Sequence, residues 1–272
     1  MRCGPSPPNR QPLPTNKAFC PGRGKWTRDN RVCRELMGRE TCEGCFIDPA
    51  YFSQILETTE ERLEALRPHS LSVVSRYMGQ ELSALGIPEE NITHVPPYIP
   101  PLTASSVGDP GPPCVLFVGR LSVAKGVDAA IDAWRKSGLK IPLVFAGSGR
   151  ERGRLESEGF EVTGWLPRAD LRAFYGRAQA LLLPSRWQEP FGIVGIEALR
   201  MGVPVVAWES GGVSEWHPGG DLLVPWGDVE ALAVALAQAP GRVVAPPDDV
   251  PFNVHRARLE SLYIAAIAKG GS

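Results

Sequence analysis

From Cys114 onward, short apolar runs alternate with amphipathic stretches, and no other property of the chain narrows its fold as sharply. Cys114 to Val118 is a continuous apolar run closed by Gly119, the signature of a strand covered on both faces. Val127, Ala130, Ile131 and Trp134 then recur at i, i+3, i+4 and i+7, which predicts a helix packed on that strand. Pro142 to Ala146, Phe160 to Thr163, Ala180 to Leu183 and Pro204 to Ala207 predict four more strands. Between them fall a helix through Leu171, Phe174, Tyr175 and Ala178, with Asp170 near its start, and another from Val194 to Met201 ended by Gly202. Repeated β-α alternation predicts an α/β fold built on a doubly wound parallel sheet, with ligands outside the carboxyl ends of its strands.

The first hundred residues read differently. Residues 1–21 carry six prolines and no apolar period, so they are expected to be irregular. A loop-rich cysteine segment follows to Cys45. Asp48 to Arg67 predicts a helix, Ser70 to Ser75 a short strand, Tyr77 to Leu85 a helix, and Ile92 to Val95 at most one further strand. Pro96 to Pro113 holds seven prolines in eighteen residues, a composition that sustains neither helix nor central strand. The expected organisation is an incomplete amino-terminal α/β portion over 1–102, a linker over 103–113, a ligand-binding domain over 114–239, and a linker with a terminal helix over 240–272. The last two helices are marked by Val229, Leu232, Ala233, Leu236 and Ala237, and by Leu259, Leu262, Tyr263, Ala266 and Ile267.

The most informative chemistry is a pair of carboxylates, Glu189 and Glu197, eight positions apart across a loop-to-helix junction. Pro190 and Gly192 make the first half a loop. Backbone N–H groups of Gly192, Ile193 and Val194 are then expected to point outward at a helix start, where the dipole favours an anion such as a diphosphate. Glu197, a turn into the helix, is placed to accept from a vicinal diol such as ribose, and Glu189 from a sugar hydroxyl. On spacing alone the two read equally well as a loop acid and an ordinary helix acid.

The stretch EPFGIVGIEAL resembles the E-x7-E signature of retaining GT-B glycosyltransferases of the family-4, group 1 kind. GRLSVAKGVDAAIDAW resembles their phosphate segment. VFAGSGRERGRLE, VTGWLPRADLRAFYGRAQALLLPS and GVPVVAWESGGVSE followed by LLVPWGDVEALA keep the same order, so the resemblance runs from about Val115 to Ala239. It implies that Arg120 and Lys125 neutralise a donor diphosphate, Arg as a planar fork and Lys as a point charge. It also implies that Gly119, Gly147 and Gly149 let the backbone approach the nucleotide, that main chain at Trp165 and Leu166 faces the base, and that Phe191, Gly192, Ile193, Val194 and Glu197 complete the donor site. Glu189 is the implied catalytic residue, supporting charge on the sugar in the transition state. The implied substrate is a nucleoside-diphosphate sugar, the acceptor an unidentified glycan or lipid, and no further cofactor is expected. Family members have two Rossmann-like domains. Only about a hundred residues precede the donor domain here, so a truncated form that needs an amino-terminal-half partner is expected.

Cys20, Cys33, Cys42 and Cys45 are spaced C-x12-C-x8-C-x2-C, and residues 1–45 carry nine Lys/Arg against four Asp/Glu. The pattern reads either as a structural loop or as a zinc module touching nucleic acid. The scattered histidines add no metal pattern. A net charge of −1 over 272 residues argues against a whole-molecule footprint for nucleic acid or anionic membrane. No apolar run reaches the ~18 residues of a membrane span. A cytoplasmic location, or a peripheral one at the inner membrane face, is the expectation. Two alternatives stand beside the transferase: a catalytically silent sugar-nucleotide-binding module, and a zinc-dependent nucleic-acid-binding protein.

Overall fold

A computed structural model of the chain describes residues 16–103, 111–248 and 250–270, with side chains to Ile264 in the last stretch. The proline-rich start to residue 15, most of the predicted linker (104–110) and the side chains of Ala266 and Ile267 lie outside the described residues.

Six parallel strands form the main sheet: β3 (Cys114–Val118), β4 (Leu143–Ala146), β5 (Glu161–Gly164), β6 (Ala178–Leu183), β7 (Val205–Trp208) and β8 (Leu223–Val224), in spatial order β5-β4-β3-β6-β7-β8. Alternation along each strand sends side chains to two cores. Val115, Phe117 and Phe145 pack with Val127, Ala130 and Ile131 of α4 (Val127–Ser137), Leu155 of α5 (Arg152–Ser157) and Leu232 and Leu236 of α8 (Val229–Gln238). Cys114, Leu116 and Val144 pack on the other face with Phe174 and Tyr175 of α6 (Arg168–Arg177) and Ala198 and Leu199 of α7 (Ile193–Arg200). Burial on both faces explains why these strands read as unbroken apolar runs. The doubly wound parallel sheet expected from the sequence is present, with each strand displaced by no more than two residues at either end. β8 went unpredicted because two residues are too few to show a period.

The amino-terminal lobe is smaller. α1 (Arg39–Glu43) and α2 (Pro49–Leu66) precede a two-stranded parallel sheet, β1 (Leu71–Val73) and β2 (Ile92–His94), joined through α3 (Arg76–Ala84). Asp48 caps α2 by accepting from Ala50 N at 2.9 Å, and Ser75 caps α3 by accepting from Met78 N at 3.2 Å. The predicted strand Ser70 to Ser75 shortens to three residues, because Ser75 leaves the sheet to serve as that cap.

The two parts meet through an apolar cluster of Val74, Ile99, Phe191 and Ile196 and through polar contacts. Glu215, from the loop after β7, accepts from the Arg76 and Tyr77 amides at 2.9 Å each, so a carboxylate of one region satisfies the first amides of a helix in the other. After Asp248 the chain returns in α9 (Phe252–Gly270). The Phe252 ring meets Tyr98 at 5.2 Å and His255 Nδ1 lies 3.0 Å from the Pro96 carbonyl. Along the predicted stripe of α9, Leu259 and Leu262 are half-buried and Tyr263 is exposed.

Candidate functional site

Strand order reverses between β3 and β6. From β3 the chain winds outward through β4 and β5, then returns to β6 and winds the other way. The loops leaving β3 and β6 are therefore neighbours above the sheet, the usual place for a ligand crevice in such folds. Each carries part of the predicted site.

On the β3 side, Lys125 ends a short 3-10 turn (Val123–Lys125). Gly126, at φ 77°, follows; a Cβ there would meet the Pro184 carbonyl oxygen at 1.8 Å. Only glycine lets the two loops approach this closely. Lys125 Nζ consequently lies 2.6 Å from Glu189 Oε1 across 64 residues of sequence and 4.4 Å above the Trp187 ring. Glu189 is 3% exposed, and Ser185 Oγ donates to the same carboxylate oxygen. A cation and a hydroxyl at one oxygen fix the orientation of this buried carboxylate.

The loop that carries Glu189 is fastened on both sides. Its amide donates to Ser210 Oγ at 3.2 Å, its carbonyl accepts from Gly212 N at 2.8 Å, and Gly211 N donates to Gln188 Oε1 at 2.9 Å. The amino-terminal lobe adds its own contacts. Gln188 N donates to the Gly24 carbonyl at 2.9 Å, and Asn16 Nδ2 to the Gln188 carbonyl at 2.6 Å. The cysteine-rich segment thus forms a wall against the loop before Glu189, a role that the sequence alone did not reveal.

Beyond Glu189 the chain enters α7 through Gly192 (φ 85°), with no side-chain cap. Phe191 is buried with Ile99 and Ile196, and Ile193 is exposed. Glu197 is 4% exposed. Arg168 Nε donates to its Oε1 at 2.6 Å and the Tyr175 hydroxyl to its Oε2 at 3.1 Å. Burial first, then the Glu197 charge, pushes the Tyr175 phenol well above its ordinary pKa, so it remains a protonated donor. Arg168 and Tyr175 lie on α6, and only folding revealed their link to Glu197.

Arg120, Gly119, Gly147, Trp165 and Leu166 line one cavity of about 350 Å³ with Ser148 and Leu171. Arg120 is exposed on its rim and Trp165 is 76% exposed. Gly147 and Gly149 have a further structural reason. A Cβ on Gly147 would meet the Gly119 carbonyl oxygen at 1.8 Å, and one on Gly149 the Leu121 carbonyl oxygen at 2.1 Å. Both glycines let the β4 loop lie against the β3 loop. Gly119, Arg120, Gly147, Trp165 and Leu166 thus share this cavity, Lys125 pairs with Glu189, and Glu197 takes two donors from α6.

The four early cysteines are free, as is Cys114. Among the described residues no group of three or more His, Cys, Asp or Glu side chains is placed to hold a metal ion. Three of the thiols have contacts of their own. Cys20 Sγ accepts from Lys25 N at 3.3 Å, Cys33 Sγ turns to the Glu35 carbonyl at 3.9 Å, and Cys42 packs with Phe52 and Leu56. Burial pushes the Cys42 and Cys45 thiols above their ordinary pKa. No helix of the described residues is long and apolar enough to cross a membrane.

Comparison with known proteins agrees with this geometry. Residues 112–239 match the family model described as "Glycosyl transferases group 1". The glycogen synthase of Mycobacterium tuberculosis is 35% identical over 139 residues, which is 46% of this chain and 33% of that enzyme. Among solved structures, sucrose-phosphate synthase from Thermosynechococcus elongatus superposes with a TM-score of 0.60 at 22% identity, covering 78% of this chain and 62% of that one. Anabaena Alr3699/HepE in complex with UDP and glucose superposes at 0.59 and 20% identity, covering 79% and 68%. The chain spans about a third of the length of the curated relatives it matches. The sheet and its crossing loops have the GT-B-type Rossmann-like fold, and residues 112–239 match the group 1 glycosyltransferases in sequence.

Proposed function

We propose that the chain binds a nucleoside-diphosphate sugar above the β3–β6 crossing and serves retaining transfer of that sugar to a glycan or lipid hydroxyl. The observation that carries this reading is the Lys125–Glu189 pair, which brings a cation suited to a diphosphate and a buried carboxylate suited to a sugar to one point. The Anabaena neighbour, solved with UDP and glucose, supports a donor of that chemistry.

Arg120 and Lys125 would oppose the diphosphate charge that grows as the bond to the sugar breaks. The amides at the start of α7 would add their dipole. Glu197, held by Arg168 and Tyr175, keeps lone pairs free to accept from the ribose diol. In the retaining step the C1–O bond to the diphosphate breaks and the acceptor oxygen bonds C1 on the same face. The acceptor proton passes to a diphosphate oxygen. Glu189 would stabilise the positive charge that develops on the sugar ring, so no protein base is required. The described acceptor side is a sheet of two three-residue strands, and an amino-terminal-half partner would complete it.

Titration with UDP, GDP and ADP, their glucose conjugates and the free nucleosides tests the reading. A diphosphate should bind more tightly than its nucleoside, and Lys125→Ala or Arg120→Ala should weaken the diphosphate far more. Equal losses for nucleoside and diphosphate would overturn the clamp. Transfer by this chain alone should be weak and should rise when an amino-terminal half is supplied in trans; full transfer by the isolated monomer would sink the requirement for a partner.

A further inference from the structure

Where the amino-terminal lobe meets the loop before Glu189, positive charge gathers without a counter-charge. Trp26 and Val32 form an antiparallel bridge, which closes the stretch between them into a small hairpin. Trp26 is 5% exposed, and two guanidiniums lie over its ring. Arg23 Cζ is 4.7 Å from the ring centroid and Arg186 Cζ 5.7 Å. Arg23 belongs to the lobe, whereas Arg186 belongs to the loop that leads to Glu189.

Each cation–π contact is favourable, but two like charges held at one ring repel each other. Among the described residues neither arginine has a carboxylate partner. Asp29, on the same hairpin, is paired with Arg31, and Arg186 Nη1 donates to the neutral Asn30 Oδ1 at 2.9 Å. Two donors are also left over: Trp26 Nε1 and Arg186 Nε are buried without an acceptor. Such donors are uncommon in folded proteins, because each gives up its hydration for nothing. The cluster therefore carries a surplus of charge and of N–H groups, and an oxyanion supplies what both lack. The planar fork of arginine matches the oxygens of phosphate and carboxylate.

The Arg186 and Trp187 amides both donate to the Ala124 carbonyl, at 3.0 and 3.2 Å, and Lys125 is the next residue. The cluster is thus tied to the loop that carries Lys125, yet it shares no residue with the Lys125–Glu189 pair or with the cavity around Arg120. We propose that Arg23 and Arg186, backed by Trp26, bind an anionic group, phosphate or carboxylate, on the sugar acceptor. That the cluster binds an anion follows from its own charge and donors; that the anion belongs to the acceptor rests on the proposed transfer reaction.

Glucose, glucose 6-phosphate and glucuronate, titrated calorimetrically into the full chain at matched ionic strength, separate the sugar from its charge and phosphate from carboxylate. At least one anionic sugar should bind about tenfold or more tightly than glucose, the scale of one charge-assisted hydrogen bond. Arg186→Gln and Arg23→Gln should each remove most of that gain, and Arg186→Lys, which keeps the charge but not the fork, should restore part of it. Saturating UDP should leave the anionic sugar bound. Thermal melting establishes that each variant is folded; a stack that only fastened the hairpin to the loop would lower the melting temperature and leave all three sugars bound equally. The proposal is overturned if neither anionic sugar outbinds glucose, if the folded glutamine variants keep the preference, or if UDP displaces the anion, which would place it on Arg120 and Lys125. Failure of UDP to bind at all would count against the donor site and leave the anion result standing.

Discussion

The six-stranded domain and the amino-terminal lobe hold together by different physics. In the first, both sheet faces are sealed by apolar side chains from α4, α8, α6 and α7, and burial is worth roughly 25 cal/mol per Å² of apolar surface. The second has two strands of three residues, a smaller core around Phe19, Met78 and Leu82, and long loops. What joins them is a small apolar cluster of Val74, Ile99, Phe191 and Ile196 and a set of polar contacts: Glu215 at the start of α3, and Gly24 and Asn16 on the loop before Glu189. The rigid sheet places the candidate site, and the lobe fixes one loop of it through backbone contacts. Damage to the sheet should unfold the molecule. Damage to the seam should loosen one loop.

Substitution at the centre of the site should have the largest effect. Glu189→Gln keeps the shape but removes the charge, and sugar transfer should fall by roughly 10²–10³, as for other lost transition-state contacts. Retained kcat in the folded variant would break the link between the β3–β6 crossing and the chemistry. Next is Glu197→Ala. Loss of a charged hydrogen bond costs about 1.5–3 kcal/mol, so nucleoside diphosphate affinity should drop by one to two orders of magnitude while the sheet persists. Unchanged affinity by calorimetry would remove Glu197 from the site.

The seam is tested by Glu215→Ala. Losing this acceptor at a helix start should cost about 1 kcal/mol. Hydrogen exchange should quicken at Arg76, Tyr77 and Met78 and stay constant in β3 and β6. Uniform acceleration would show that the two regions unfold as one unit. The smallest effect concerns pH. His217 is buried, with Nε2 2.8 Å from the Val205 carbonyl and Nδ1 accepting from Gly219 N, and burial holds its pKa below 6.5. Below 6.5 the unfolded chain binds the proton more readily than the folded one. Its stabilising contribution is therefore present above that pH and declines as the pH falls toward the lower folded value. Melting temperatures between pH 7.5 and 5.5 should show this slope, and His217→Gln should flatten it; an identical slope in the variant would assign the dependence elsewhere.

Much of the larger domain was legible in the sequence. β3, β4, β6 and β7 announce themselves because double-sided burial writes continuous apolar runs, and α4 because Val127, Ala130, Ile131 and Trp134 keep one face apolar. The lobe was less legible. SLSVVS reads as a strand, yet Ser75 turns away to cap α3, and no local period tells a final strand residue from a cap.

By itself the sequence determined the alternating α/β pattern, the loop-to-helix junction between Glu189 and Glu197, and the set of residues from Gly119 to Glu197 that resemble a donor site. Those features are local, or carried by motifs read in order. The tertiary structure alone decided that Lys125 meets Glu189, that Arg168 and Tyr175 hold Glu197 from a different helix, and that Glu215 closes the seam on α3 across 139 residues. Such partners follow from the order in which strands lie in the sheet. That order puts distant loops side by side above β3 and β6, whereas side-chain periodicity reports only which face of its own element a residue occupies.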